Sequence, residues 1–137
     1  MAQTSELLKG GSDGKICFGD HTLAQKAKLD DYELSGDVYK VRTFQELTKL
    51  EKNDMFLYES VPGTTVKDFA EEKNGVSFTV SGSEDAQITV GLKEKTEYEV
   101  IVGSANAGKM STGVSGKLSV SVELAGMGDV PVVITEA

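Results

Sequence analysis

The chain holds one cysteine, one histidine, two prolines and no tryptophan. Each shortage excludes something. A single thiol, Cys17, forms no internal disulfide, and one Cys with one His (His21) is too few for an ordinary zinc site. A Ser-His-Asp or Cys-His centre would have to use His21, and no spacing in the chain pairs it with Cys17 or a serine. Without tryptophan, and with few aromatics, the chain is poorly equipped as a platform for stacking sugars or bases. Cations are also scarce: 14 Lys and Arg against 22 Asp and Glu leave a formal charge of −8, which repels phosphate backbones and anionic lipid. No nucleic-acid or membrane partner is expected. No run approaches the roughly 20 apolar residues that span a bilayer. The first residues lack the basic start and apolar stretch of a signal peptide. A cytoplasmic protein, or one within a virion-like particle, is the expectation.

What is present is alternation. Val76, Phe78 and Val80 alternate with Ser77, Thr79 and Ser81, and Ile88, Val90 and Leu92 follow the same rule. So do Tyr98, Val100 and Val102, then Leu118, Val120, Val122 and Leu124, and finally 130–135. A period of two marks half-buried strands. With strands at 66–73 and 109–112, seven are expected over 64–137, separated by Gly-rich turns. Two sheets must press their apolar faces together, so the spacing predicts an antiparallel β-sandwich of immunoglobulin or fibronectin type. The Cys–Trp–Cys signature of antibody domains is missing, which leaves the architecture only.

The first half is less regular. Residues 1–14, ending in Gly-Gly-Ser-Asp-Gly, read as a flexible arm, with one helical turn open to Ser5–Lys9. Residues 15–63 read as a β-rich region on or beside the sandwich of 64–137. Residues 16–18 and 37–44 are strand-like, and 22–34 reads equally as a short helix or a loop. Residues 46–51 and 55–59 flank Lys52-Asn53-Asp54 as a hairpin, although Phe44, Leu47 and Leu50 also fit a helical spacing. At most one short helix is expected.

Chemistry is thin. Residues 103–109 (GSANAGK) match seven places of a phosphate-binding loop, but Met110 stands where a magnesium-binding Ser or Thr is needed, and no helix follows. A tight strand connection at 106–108 is the better reading. Acid pairs at Asp30-Asp31, Glu71-Glu72 and Glu84-Asp85 lack the spacing of a calcium loop. Glycosidase chemistry would need two carboxylates converging in a cleft. Ile101 and Val133 are apolar residues on otherwise polar faces, and Pro131 confines its strand to an edge or a bulge.

Residues 39–66 (YKVRTFQELTKLEKNDMFLYESVPGTTV), with 115–124 (SGKLSVSVEL), resemble short bacterial proteins that carry the label endosialidase. Nothing here matches the catalytic residues of the large trimeric phage enzymes of that name, so the resemblance supplies no site. It implies a small intracellular protein, phage-related and without an attached activity.

The expectation is therefore a non-enzymatic structural or interaction protein without cofactor, whose partner is itself or another protein. Ile101, Pro131, Val133, Tyr39 and Tyr58 are the candidate surface. The alternative is a module for a glycan or other small ligand, using Tyr32, Tyr39, Tyr58 or Tyr98 with loop acids and Ca²⁺.

Overall fold

A computed structural model describes residues 7–10, 15–34 and 36–137. Thirteen strands run through them: β1 Leu8–Gly10, β2 Ile16–Phe18, β3 Ala27–Leu34, β4 Asp37–Phe44, β5 Leu47–Lys52, β6 Met55–Val61 and β7 Thr65–Glu72. They continue with β8 Gly75–Ser81, β9 Ala86–Gly91, β10 Glu97–Val102, β11 Ala105–Ser111, β12 Lys117–Val122 and β13 Val130–Glu136. One sheet has the order β1-β2-β7-β8-β13-β10-β11 and the other β12-β9-β6-β5-β4-β3, every pairing antiparallel. This is a β-sandwich, and β7–β13 are the seven strands read in 64–137. No helix long and apolar enough to cross a membrane occurs among the described residues.

The alternation decides the core. Val76, Phe78, Val80, Ile88, Val90, Tyr98, Val100, Leu118, Val120, Val122, Val130, Val132 and Ile134 are all buried between the sheets. Four rings from both layers form its aromatic centre. Phe18 meets Tyr58 edge-on at 5.1 Å and Phe69 at 5.5 Å, while Phe78 sits 5.6 Å from both Tyr58 and Phe69. Edge-on pairs of this kind add about 0.5–1.5 kcal/mol each beyond the area they bury.

The first half departs from the expectations in three places. Residues 22–34, expected as helix or loop, contain the strand β3. Asp30-Asp31 conceals it by breaking the period, because a bulge between Leu29 and Tyr32, with Asp31 at φ 57°, absorbs one residue. Within the arm expected over 1–14, Leu7 and Leu8 are buried and Leu8–Gly10 pairs with β2; residues 1–6 and 11–14 lie outside the described set. Finally, the boundary expected at 63 falls inside both sheets, since β2 pairs with β7 and β6 with β9.

The hairpin over 47–61 forms as expected. Asn53 and Asp54 both take positive φ (52° and 64°), the twist that joins two antiparallel strands most directly and that Asn and Asp tolerate best. Asn53 does more than turn the chain: its Oδ1 accepts from Val38 N at 3.0 Å and its Nδ2 donates to Asp37 Oδ1 at 2.9 Å, which ties the turn to β4.

Candidate functional site

The residues proposed for an interaction surface scatter. Tyr58 is fully buried, and Tyr39 is buried in the same hydrophobic core. Neither offers a surface, because a phenol ring on the core-facing side of a central strand has its largest apolar area to hide. Tyr98 is buried too, leaving Tyr32 as the one half-exposed tyrosine. The tyrosines expected to stack on a glycan are therefore mostly core. Ile101 and Val133 do come together: they are cross-strand partners on the outer face of the seven-stranded sheet, with Ser77 next in the row.

Pro131 lies in an interior strand, not at an edge, because β13 sits between β8 and β10. The ladder tolerates it for a local reason. In a strand the N and O of one residue point to the same side. Pro131 O accepts from Gly103 N at 2.7 Å, so the missing N–H also faces Gly103, just past the last β10 rung at Val102. The absent donor falls where the ladder has ended.

The phosphate-loop look-alike is a hairpin. Its connection is Gly103-Ser104, while 106–108, expected as the turn, lies inside β11. Asn106 faces Ile101 and Gly108 faces Val100, so Ala107 is the extra residue of a bulge, and Asn106 Oδ1 accepts from Gly108 N at 2.7 Å. His21 is held by its neighbours: Nδ1 lies 2.7 Å from Thr65 Oγ1, at the rim of a hollow of about 250 Å³ that also touches Pro62 and Glu84. Among the described residues no group of three or more His, Cys, Asp or Glu could hold a metal ion.

Two features were not legible in the sequence. One is a cleft at an end of the sandwich, with lobes of about 240 and 400 Å³ that share Leu57, Glu71, Gly91 and Leu92. Lysines ring it in an otherwise acidic protein. Lys52 bonds Glu71 at 2.8 Å, and that hydrogen bond holds the ammonium charged beyond its ordinary range; Lys117 sits over the Phe56 ring at 4.5 Å. The other feature is a chain of buried hydroxyls. Thr48 Oγ1 donates to Thr64 O at 2.8 Å and accepts from Thr64 N at 3.0 Å. Since Thr48 has spent its proton on a carbonyl, Thr43 must donate in the 2.9 Å contact between their hydroxyls, and Thr43 Oγ1 in turn accepts from Asp20 N at 2.8 Å. Thr64 Oγ1 also meets Tyr58 OH at 2.7 Å and Ser60 Oγ at 2.8 Å. Among the described residues no buried side-chain polar atom lacks a partner.

Burial pushes the Tyr58 phenol above its ordinary range, against smaller lowering contributions from Thr64 and Ser60. The unfolded chain ionises this group near pH 10, so above that pH the unfolded state binds fewer protons than the folded one. Stability should therefore fall as pH rises past about 10, with Tyr58 contributing up to about 1.4 kcal/mol per pH unit. Alkaline unfolding of Tyr58→Phe, which cannot ionise, should show a shallower loss; equal slopes for the two proteins would exclude this account.

Neither a family model, nor a curated protein, nor a solved structure matches this chain.

Proposed function

We propose that this chain is a non-enzymatic structural protein that works by associating with other copies of itself. One observation carries the reading: strand β12 is a sheet edge that no other strand covers among the described residues, and it lacks the shortness, bulge and proline that usually keep edges apart. Sheet edges present unpaired N–H and C=O groups, and soluble proteins blunt them by shortness, bulges, charges or proline. The other three edges follow that pattern. Strand β1 has three residues, β3 carries four charges and the Asp30-Asp31 bulge, and β11 bulges at Ala107. Strand β12 pairs with β9 in an unbroken register from Lys117↔Gly91 to Val122↔Ala86, and its sequence, KLSVSV, has one charge and no proline.

The chemistry of the interior supports the same reading. Among the described residues its buried polar side chains are hydroxyls: Thr43, Thr48, Ser60 and Thr64 form one linked chain with Tyr58, and Thr112 donates to the Lys93 carbonyl, an arrangement that holds a scaffold in place. Sedimentation velocity across the micromolar range tests the proposal: a concentration-dependent shift from monomer to a larger species is expected. A strict monomer throughout would sink it.

A further inference from the structure

We infer that the partner at β12 is a second copy of the same strand, related by a two-fold axis through Val120, so that the six-stranded sheet runs on without a break from one copy into the next. The inference rests on the self-association just proposed and supplies its geometry.

Hydrogen-bond parity comes first. In an antiparallel ladder, residues alternate between pointing their N–H and C=O at the neighbouring strand and pointing them away. Gly116 O accepts from Leu92 N at 2.7 Å, one step before the first β12 rung. The Gly116 carbonyl and then Leu118, Val120 and Val122 are therefore bonded toward β9, while Gly116 N turns back to Gly113 O at 3.1 Å; the far end agrees, because Leu124 N donates to Asp85 Oδ1 at 3.0 Å. The hydroxyl contact between Ser119 and Thr89 at 2.8 Å fits the closer side-chain spacing of the intervening, non-bonded rungs. It follows that Lys117, Ser119, Ser121 and Glu123 aim their backbone donors and acceptors outward, into the open edge.

A two-fold, antiparallel match must set these four outward residues opposite outward residues. Axes that fall between two residues fail, because they set outward groups against inward ones. Axes on a residue remain. Axes on Leu118, Ser119, Ser121 and Val122 place Lys117 opposite the partner's Ser119, Ser121, Ala125 and Met127, none of them a charge. An axis on Val120 places Lys117 opposite the partner's Glu123, and by symmetry Glu123 opposite the partner's Lys117. Ser119 then exchanges hydrogen bonds with the partner's Ser121. On the inner face, Val120 meets the partner's Val120, and Leu118 meets the partner's Val122, which extends the buried row of the core. Backbone parity, charge and apolar register thus select one arrangement, an isologous contact that closes as a dimer.

The test uses the full chain. In sedimentation velocity, wild type should dimerise, and Glu123→Lys, which sets like charges opposite at both ends, should weaken the dimer by about tenfold or more. Adding Lys117→Glu to that variant should restore wild-type affinity, since the pairs are then reversed and not lost. Ser121→Pro removes an outward N–H that the ladder with β9 does not use, and should abolish the dimer; Ser121→Ala, which keeps the N–H, should not. Melting curves of each variant confirm that it is folded. A dimer indifferent to Glu123→Lys and to Ser121→Pro overturns the β12 register while leaving self-association standing. A wild-type monomer at every concentration overturns both.

Discussion

Gly75→Ala should be among the most damaging single-methyl changes this chain can take, lowering stability by roughly 3 kcal/mol or more, against about 1 kcal/mol for Gly103→Ala. The reason lies in what a Cβ would meet. At Gly75 it would sit 1.8 Å from Ile134 O, 2.8 Å from Ile134 C and 3.0 Å from Thr135 Cα, all backbone atoms. No rotamer change relieves such a clash. Strand β13 cannot withdraw either, because it lies between β8 and β10 and pairs with both, Thr135 facing Gly75 on one side and Glu99 on the other. The β7–β8 hairpin is fixed from the same direction, since Glu136 N donates to Asn74 O at 2.7 Å. Relief therefore requires separating two central strands of the seven-stranded sheet. Gly103 is the control. A Cβ there meets nothing within 4 Å, and only its φ of 63° opposes the substitution. Urea unfolding followed by circular dichroism measures both, and with a slope of about 2 kcal/mol per molar the midpoint for Gly75→Ala should drop by about 1.5 M. Equal midpoints for the two variants would show that the hairpin slides to make room.

Gly75 also shows which parts of this fold a sequence can reveal. Asn74-Gly75 reads as a hairpin signal, and a hairpin is there, but the two turn residues are Lys73 and Asn74, with Glu72 and Gly75 forming the first rung. The glycine serves the strand across the sheet, a contact no local pattern contains. The same division runs through the chain. Alternation was legible wherever strands kept a strict period of two, so the core positions of β8, β9, β10, β12 and β13 could be read directly. It failed at bulges. Asp31 and Asp68, both at positive φ, each shift the period by one residue, and β3 was lost for that reason. Strand order was not legible at all, because it depends on which strand crosses to which sheet. The rule that confines Pro131 to an edge or a bulge accordingly misses its place, inside a sheet where its ladder ends. Strand β12, an edge strand with an unbroken ladder to β9, has a sequence like that of its buried neighbours, and its outward row of Lys117, Ser119 and Ser121 looks like any solvated face.

The second large effect is expected at Thr48, and it separates hydrogen bonding from packing. Thr48→Val exchanges a hydroxyl for a methyl of nearly the same volume, so it leaves no cavity at this fully buried position. It removes the junction through which three groups are satisfied: Thr64 N loses its acceptor, while Thr64 O and the Thr43 hydroxyl lose a donor and an acceptor respectively. A buried polar group left unpaired costs about 1–3 kcal/mol, and partial relaxation around Thr64 should bring the total to about 3–5 kcal/mol. Thr43 keeps its bond from Asp20 N, which limits the loss on that side. Thr48→Ser is the complementary change. It retains the hydroxyl and deletes one methyl, so about 1 kcal/mol is expected. The prediction is thus an order, valine far worse than serine, the reverse of what apolar burial alone would give at a core site. Urea midpoints establish the order, and amide hydrogen exchange at Thr64 localises it, because that N–H should exchange faster in Thr48→Val than in Thr48→Ser. Should valine prove as mild as serine, the hydroxyl chain would be a consequence of the packing between β4, β5 and the Pro62-Gly63 turn, and not one of its causes.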